Sequence, residues 1–131
     1  MNDLTICGIA VLVLGTCFLA MGIAKKMSIQ KKQQMLKKYT ELRKESLALQ
    51  GTVSDYMLAE DNGRKTIDGN QSLSDFYRQL KSNHIYNLSD KYLSKVKNSN
   101  NPIFLNKAER NLQEQEEKIK TAKHLIYALA L

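Results

Sequence analysis

Few side chains in this sequence are equipped for chemistry: two histidines, two cysteines, thirteen acids and twenty Lys or Arg. A zinc hydrolase of the HExxH type holds its metal with two histidines one helical turn apart. Here His84 and His124 stand forty residues apart with no carboxylate cluster beside either, so each is expected at a surface or a helix end. The two glycines of EDNGRKTIDGNQS, residues 60–72, do not open a calcium loop. Leu58 and Arg64 occupy the positions where Gly63 and Gly69 would need the first Asp. Cys7 and Cys17 lie inside an apolar run and read as small hydrophobes. No cysteine follows them, so the rest of the chain has no thiol nucleophile and no disulfide framework. There is no glycine-rich phosphate loop, and Glu114, Glu116 and Glu117 read as a solvated helix face. These residues predict no catalytic site, no cofactor and no metal.

The lysines are the strongest pattern left. KKMSIQKKQQMLKKY, residues 25–39, carries three Lys-Lys pairs at a spacing of six. Between Lys25 and Lys44 there are eight Lys or Arg and one acid, Glu41, whereas residues 45–131 hold twelve basic and eleven acidic side chains. A phosphate-tracking fold would spread its positive charge over a folded surface. Six residues turn a helix by about 600°, so the pairs rotate around the axis and form no single reading face. No aromatic residue stands among these six lysines to stack a base. The pattern argues against nucleic acid and for an anionic leaflet. Attraction to such a leaflet fades within about 8 Å, so Lys25, Lys26, Lys31 and Lys32 are the expected lipid contacts. Lys37, about 18 Å beyond Lys25 along a helix, falls at the edge of that field.

The segment that must carry these lysines is LTICGIAVLVLGTCFLAMGIA, Leu4–Ala24, with no charge in 21 positions. As a helix it is about 31 Å long, matching a bilayer core of about 30 Å. A cleaved signal peptide wants a basic leader and a shorter apolar run, whereas the leader here is MNDLT. A retained transmembrane helix is therefore expected. The lysine-rich flank stays cytoplasmic, which places the N-terminus outside and the C-terminal domain in the cytoplasm, at a cell inner membrane. Gly8, Gly15 and Gly22 recur every seven residues and, with Thr16, Ala20 and Ala24, mark a packing face for self-association or a partner helix.

Downstream, apolar residues recur at helical spacing. Met35, Tyr39, Leu42, Leu49, Val53 and Tyr56 form a heptad seam interrupted at Ser46, and Leu105, Ala108, Leu112, Ile119, Ala122, Ile126 and Leu129 form a second, interrupted at Gln115. Ser72 caps a short helix with Leu73, Phe76, Tyr77 and Leu80 on one face. Asn87 or Ser89 caps another, and Asn101-Pro102 starts the last. No alternating β-branched run or hairpin turn signals a strand.

The fold class is all-α: a transmembrane helix (1–24), a basic juxtamembrane segment (25–34) and a helical soluble domain (35–131). That domain is expected to be an antiparallel, coiled-coil-like hairpin with two short helices between its arms. Residues whose numbers sum to 161 would pair, Met35 with Ile126, Tyr39 with Ala122 and Ser46 directly with Gln115. Lys118, Lys120 and Lys123 would then return toward the leaflet. Two functions from different classes fit this layout. One is a protein-interaction module of scaffold, exclusion or inhibitor type, contacting its unknown protein partner through Tyr77, Tyr86 and Tyr92. The other is a structural subunit of a larger membrane complex, or a homo-oligomer, held through the Gly8, Gly15 and Gly22 face.

Overall fold

The computed structural model describes the backbone of residues 2–60, 64–67 and 69–130, and the side chains of these residues apart from 23–28, 60 and 130. Four helices follow in order: α1 Asp3–Glu60, α2 Leu73–Asn87, α3 Asp90–Asn98 and α4 Pro102–Ala130. Among the described residues there is no strand, only an isolated antiparallel bridge between Thr66 and Ser72. The chain is all-α, an N-terminal apolar helix followed by packed helices. It divides into two compact units, Met1–Gln34 and Met35–Leu131.

In the first unit, Asp3–Gly22 is a 20-residue stretch long and apolar enough to cross a membrane, and none of it is buried inside the protein. Leu4, Leu12 and Phe18 are all exposed. A helix apolar on every side and uncovered by its own chain is stable in hydrocarbon or against another helix.

The second unit is punctuated by side-chain caps. The Ser72 hydroxyl accepts from the Asp75 N–H at 3.1 Å, the Ser89 hydroxyl from the Tyr92 N–H at 3.2 Å, and Asn101 Oδ1 from the Ile103 N–H at 3.0 Å. Each such cap typically contributes about 1 kcal/mol to its helix. Leu88 closes α2 through its N–H on the His84 carbonyl at 2.9 Å. Gly69 takes a left-handed φ of 64° in the loop before α2, a backbone state that glycine adopts without the Cβ penalty of other residues. Around it, the Ile67 N–H meets the Gln71 carbonyl at 2.8 Å and the Leu73 N–H meets that of Lys65 at 2.7 Å.

Both seams are buried where their spacing places them, except at Tyr56, Leu105 and Leu129, which are half-buried. Met35, Tyr39, Leu42, Leu49 and Val53 of α1 join Ala108, Leu112, Ile119, Ala122 and Ile126 of α4 in one core, completed by Leu73, Phe76, Leu88 and Val96.

The direction of α4 differs from the expected antiparallel pairing with α1. Ser46 meets His84 at 3.1 Å, Arg43 pairs with Asp90, and the Tyr39 ring lies 5.7 Å from that of Tyr92. Rising numbers on α2 and α3 therefore go with falling numbers on α1. Asn83 donates to Gln115, and the Tyr92 ring lies 6.4 Å from that of Phe104, so α4 also runs opposite to the α2–α3 arm. Two helices antiparallel to a third are parallel to each other. Tyr39 accordingly meets Ala108 and Asn111 instead of Ala122. Residues 35–131 form an up-down-up three-helix bundle whose middle arm is broken once, at Leu88–Ser89.

The reason is length. Helices of fifteen and nine residues laid end to end reach about 36 Å, close to the roughly 43 Å of α4. They run the height of the bundle instead of capping its tip, and the short link at 99–101 then turns α4 back.

Candidate functional site

A polar layer crosses the bundle where the two seams are interrupted. Ser46 and Gln115 are 2% and 0% exposed, and burial without partners would cost each of them about 1–3 kcal/mol. The expected direct bond between them is replaced by two bonds to α2. Ser46 Oγ sits 3.1 Å from His84 Nδ1 and accepts from Gln50 at 3.3 Å, while Asn83 Nδ2 donates to Gln115 Oε1. The parallel direction of α1 and α4 leaves the α2 face between the two polar residues, and α2 brings Asn83 and His84 to that height.

The network then descends. Gln115 donates to Asn111 Oδ1 at 3.4 Å, Asn111 donates to the Tyr39 hydroxyl at 3.1 Å, and that hydroxyl donates to the Ala108 carbonyl. One turn further along α2, Asn87 donates back to Asn83 at 2.9 Å. Beside the layer, the Arg43 guanidinium forks onto the Asp90 carboxylate, with one arm at 2.9 Å. Among the described residues, no three of His, Cys, Asp and Glu are grouped to hold a metal.

Two titrations are displaced by this packing. Burial, reinforced by the neighbouring Tyr92, raises the Tyr39 phenol above its ordinary value. Burial lowers His84, as does the Arg43 guanidinium, against a smaller opposing pull from Asp90. The unfolded chain takes up the His84 proton near pH 6.5 and the folded chain only at lower pH. Its contribution to stability is therefore complete above about pH 6.5 and is lost as pH falls through the folded value. In urea unfolding of the full chain in mild detergent, the midpoint is expected to drop between pH 7.5 and pH 5.5. His84→Gln should shrink that drop, and an equal drop in both proteins would remove His84 as its source.

On the outside, α2 and α4 flank an open groove of about 640 Å³, floored by Phe76, Leu80, Ala122 and Leu125 and edged by Tyr86 and Lys118. The three tyrosines singled out from the sequence separate here. Tyr86 is 73% exposed at the groove's rim. Tyr77 is half-buried, with the Lys81 ammonium 5.7 Å from its ring centre. Tyr92 is drawn inward between the Tyr39 and Phe104 rings, so its principal contacts are internal.

Of the four lysines, Lys31 is exposed and Lys32 half-buried, while the side chains of Lys25 and Lys26 lie outside the described residues. Gly8, Gly15 and Gly22 are exposed, and a Cβ added at any of them would meet nothing within 4 Å. The chain's own packing places no demand for glycine there. The Thr16 hydroxyl turns back onto its own helix, donating to the Val13 and Leu12 carbonyls at 2.9 and 3.1 Å.

The sequence reading missed Asn83 and His84 as core partners and the Arg43–Asp90 fork. A signal was present, since two polar interruptions in apolar seams call for polar partners, and Asn83, His84 and Asn87 cluster within little more than a turn of α2. Comparison of the chain with protein families, with curated proteins and with solved structures returned no match. Fold and site together define a class: a small helical bundle with a polar central layer, carried behind one apolar N-terminal helix.

Proposed function

We propose that this is a single-pass membrane protein whose helical domain binds another protein at the cytoplasmic face of a cell inner membrane. The observation that carries the reading is the α2–α4 groove, whose apolar floor meets an exposed aromatic at the rim. Interface cores are enriched in aromatic side chains, and Tyr is prominent among the residues that dominate binding energy. The uncovered Asp3–Gly22 helix supports the anchor, and the basic flank supports the orientation.

The exposed Gly8, Gly15 and Gly22 face favours a second reading, a structural subunit held through its span. A photo-crosslinking residue placed at Tyr86 or at Gly15 in cells separates the two. The module predicts a discrete adduct from Tyr86 and a stable, monodisperse protein in mild detergent. Adducts from Gly15 alone, with a chain that degrades when purified, would replace it with the subunit. A reporter fused after Leu131 that is active only outside the cytoplasm would overturn the orientation.

A further inference from the structure

The parallel return of α4 rearranges the charge of the bundle. Antiparallel pairing would have carried Lys118, Lys120 and Lys123 to the Met35 end. Instead, that end receives the C-terminal turns of α3 and the first turns of α4. Tyr92 stacking on Tyr39, and Phe104 beneath Lys95 at 5.0 Å, fix those turns at the height of Met35 to Tyr39.

The segments gathered there, 35–43, 90–98 and 102–110, hold eight Lys or Arg against three acids, Glu41, Asp90 and Glu109. Asp90 is already committed to Arg43. The remainder of residues 35–131 holds eight basic and nine acidic side chains. The positive excess of the bundle is thus confined to one end, which the sequence shows only as scattered lysines. Lys37, Lys91, Lys95, Lys97 and Lys107 are all exposed. Lys38 pairs with Glu116 across 4.0 Å with both side chains largely in solvent, a contact that holds the charge weakly.

We propose that this basic end of the bundle docks on an anionic lipid surface. Resting on the single-pass reading above, the proposal adds to it a second, folded lipid contact beyond the juxtamembrane lysines. Charge complementarity is the first argument, since exposed lysines attract headgroup phosphates and each contributes only close to the surface. The second is the tether. Twelve residues, 23–34, join Gly22 to Met35, and even fully extended they span only about 40 Å. Residues 35–43 of the basic end are the part of the bundle that follows the span most directly in sequence, and docking there would leave the neutral remainder, with the α2–α4 groove, available to a protein.

The test uses the full chain with Cys7→Ser and Cys17→Ser, reconstituted in nanodiscs. A fluorophore is placed through Asn100→Cys at the basic end or Tyr127→Cys at the other, and the lipids carry a headgroup nitroxide quencher. Both leaflets are identical, so the result does not depend on topology in cells. With about a third phosphatidylglycerol, the Asn100 probe should be quenched, 0.5 M NaCl should relieve it, and purely zwitterionic discs should not produce it. The Tyr127 probe should respond to neither lipid. Replacing Lys95, Lys97 and Lys107 by Gln should lower the docked-to-undocked ratio by up to about fivefold per lysine, with helicity unchanged. Equal quenching in neutral and anionic discs, or stronger quenching at Tyr127, overturns the proposal. So does salt-sensitive binding of a single-stranded oligonucleotide that spares no lipid contact, which would make the surface a nucleic-acid reader. A chain that inserts in the discs but shows no charge dependence sinks this proposal alone. One that does not insert takes the single-pass reading down with it.

Discussion

Tyr39→Ala is expected to destabilise the bundle by about 3–5 kcal/mol, the range for truncating a fully buried aromatic. Tyr39 is completely buried and large, and its ring fills the space against Tyr92 at 5.7 Å. Aromatic pairs in that tilted arrangement contribute about 0.5–1.5 kcal/mol beyond their area. Alanine also opens a void beside Ala108, which is too small to fill it. Tyr39→Phe keeps the ring and removes only the hydroxyl, which both donates to the Ala108 carbonyl and accepts from Asn111. Its cost should be about 1–2 kcal/mol, because Asn111 keeps its bond to Gln115. A domain of this size has about 5–15 kcal/mol in total, so the alanine variant gives up a large share of its stability. Urea unfolding followed by helicity measures both. Equal losses for Phe and Ala would mean that the hydroxyl network, not ring packing, holds this layer.

The helices themselves were legible in the sequence because each has a local signal. Ser72, Ser89 and Asn101-Pro102 start their helices where the capping pattern puts them, and both seams bury most of the residues their three-and-four spacing selects. Which way α4 runs was not legible, for a physical reason. The α1 seam is symmetric about Ser46 and the α4 seam about Gln115, with Ala108 and Ala122 each seven residues from that centre. Large-against-small packing of Tyr39 is satisfied by either alanine. Matching the two polar positions is equally satisfied in both directions. Only the return arm breaks the tie, because α2 must bring Asn83 to Gln115 and His84 to Ser46.

That ambiguity also hid the basic end. Lys91, Lys95, Lys97 and Lys107 are unremarkable in a linear count, and they join Lys37 and Lys38 only once α4 is known to start beside Met35. The groove was hidden for the same reason, since an antiparallel hairpin leaves α2 at the tip with no long helix to flank it.

The direction of α4 is directly measurable, and the expected result is nearly all-or-none. In a Cys7→Ser, Cys17→Ser background, cysteines replacing Lys37 and Lys107 lie at the same end of the parallel bundle, as the contacts of Tyr39 with Ala108 and Asn111 require. A bis-maleimide spanning about 10 Å should join them rapidly within one chain. Cysteines replacing Lys37 and His124 should not be joined, because seventeen residues of helix, about 25 Å of rise, separate Lys107 from His124. Both positions in each pair are exposed, so the substitutions leave the core intact and loss of folding does not confuse the outcome. An antiparallel hairpin reverses the result, bringing position 37 beside position 124 and leaving position 107 near the far end. A homodimer built on the Met35–Tyr56 seam would instead crosslink Lys37→Cys between chains at a rate that rises with protein concentration. Rapid, concentration-independent closure of the 37–107 pair is compatible with the parallel bundle and with neither of the others.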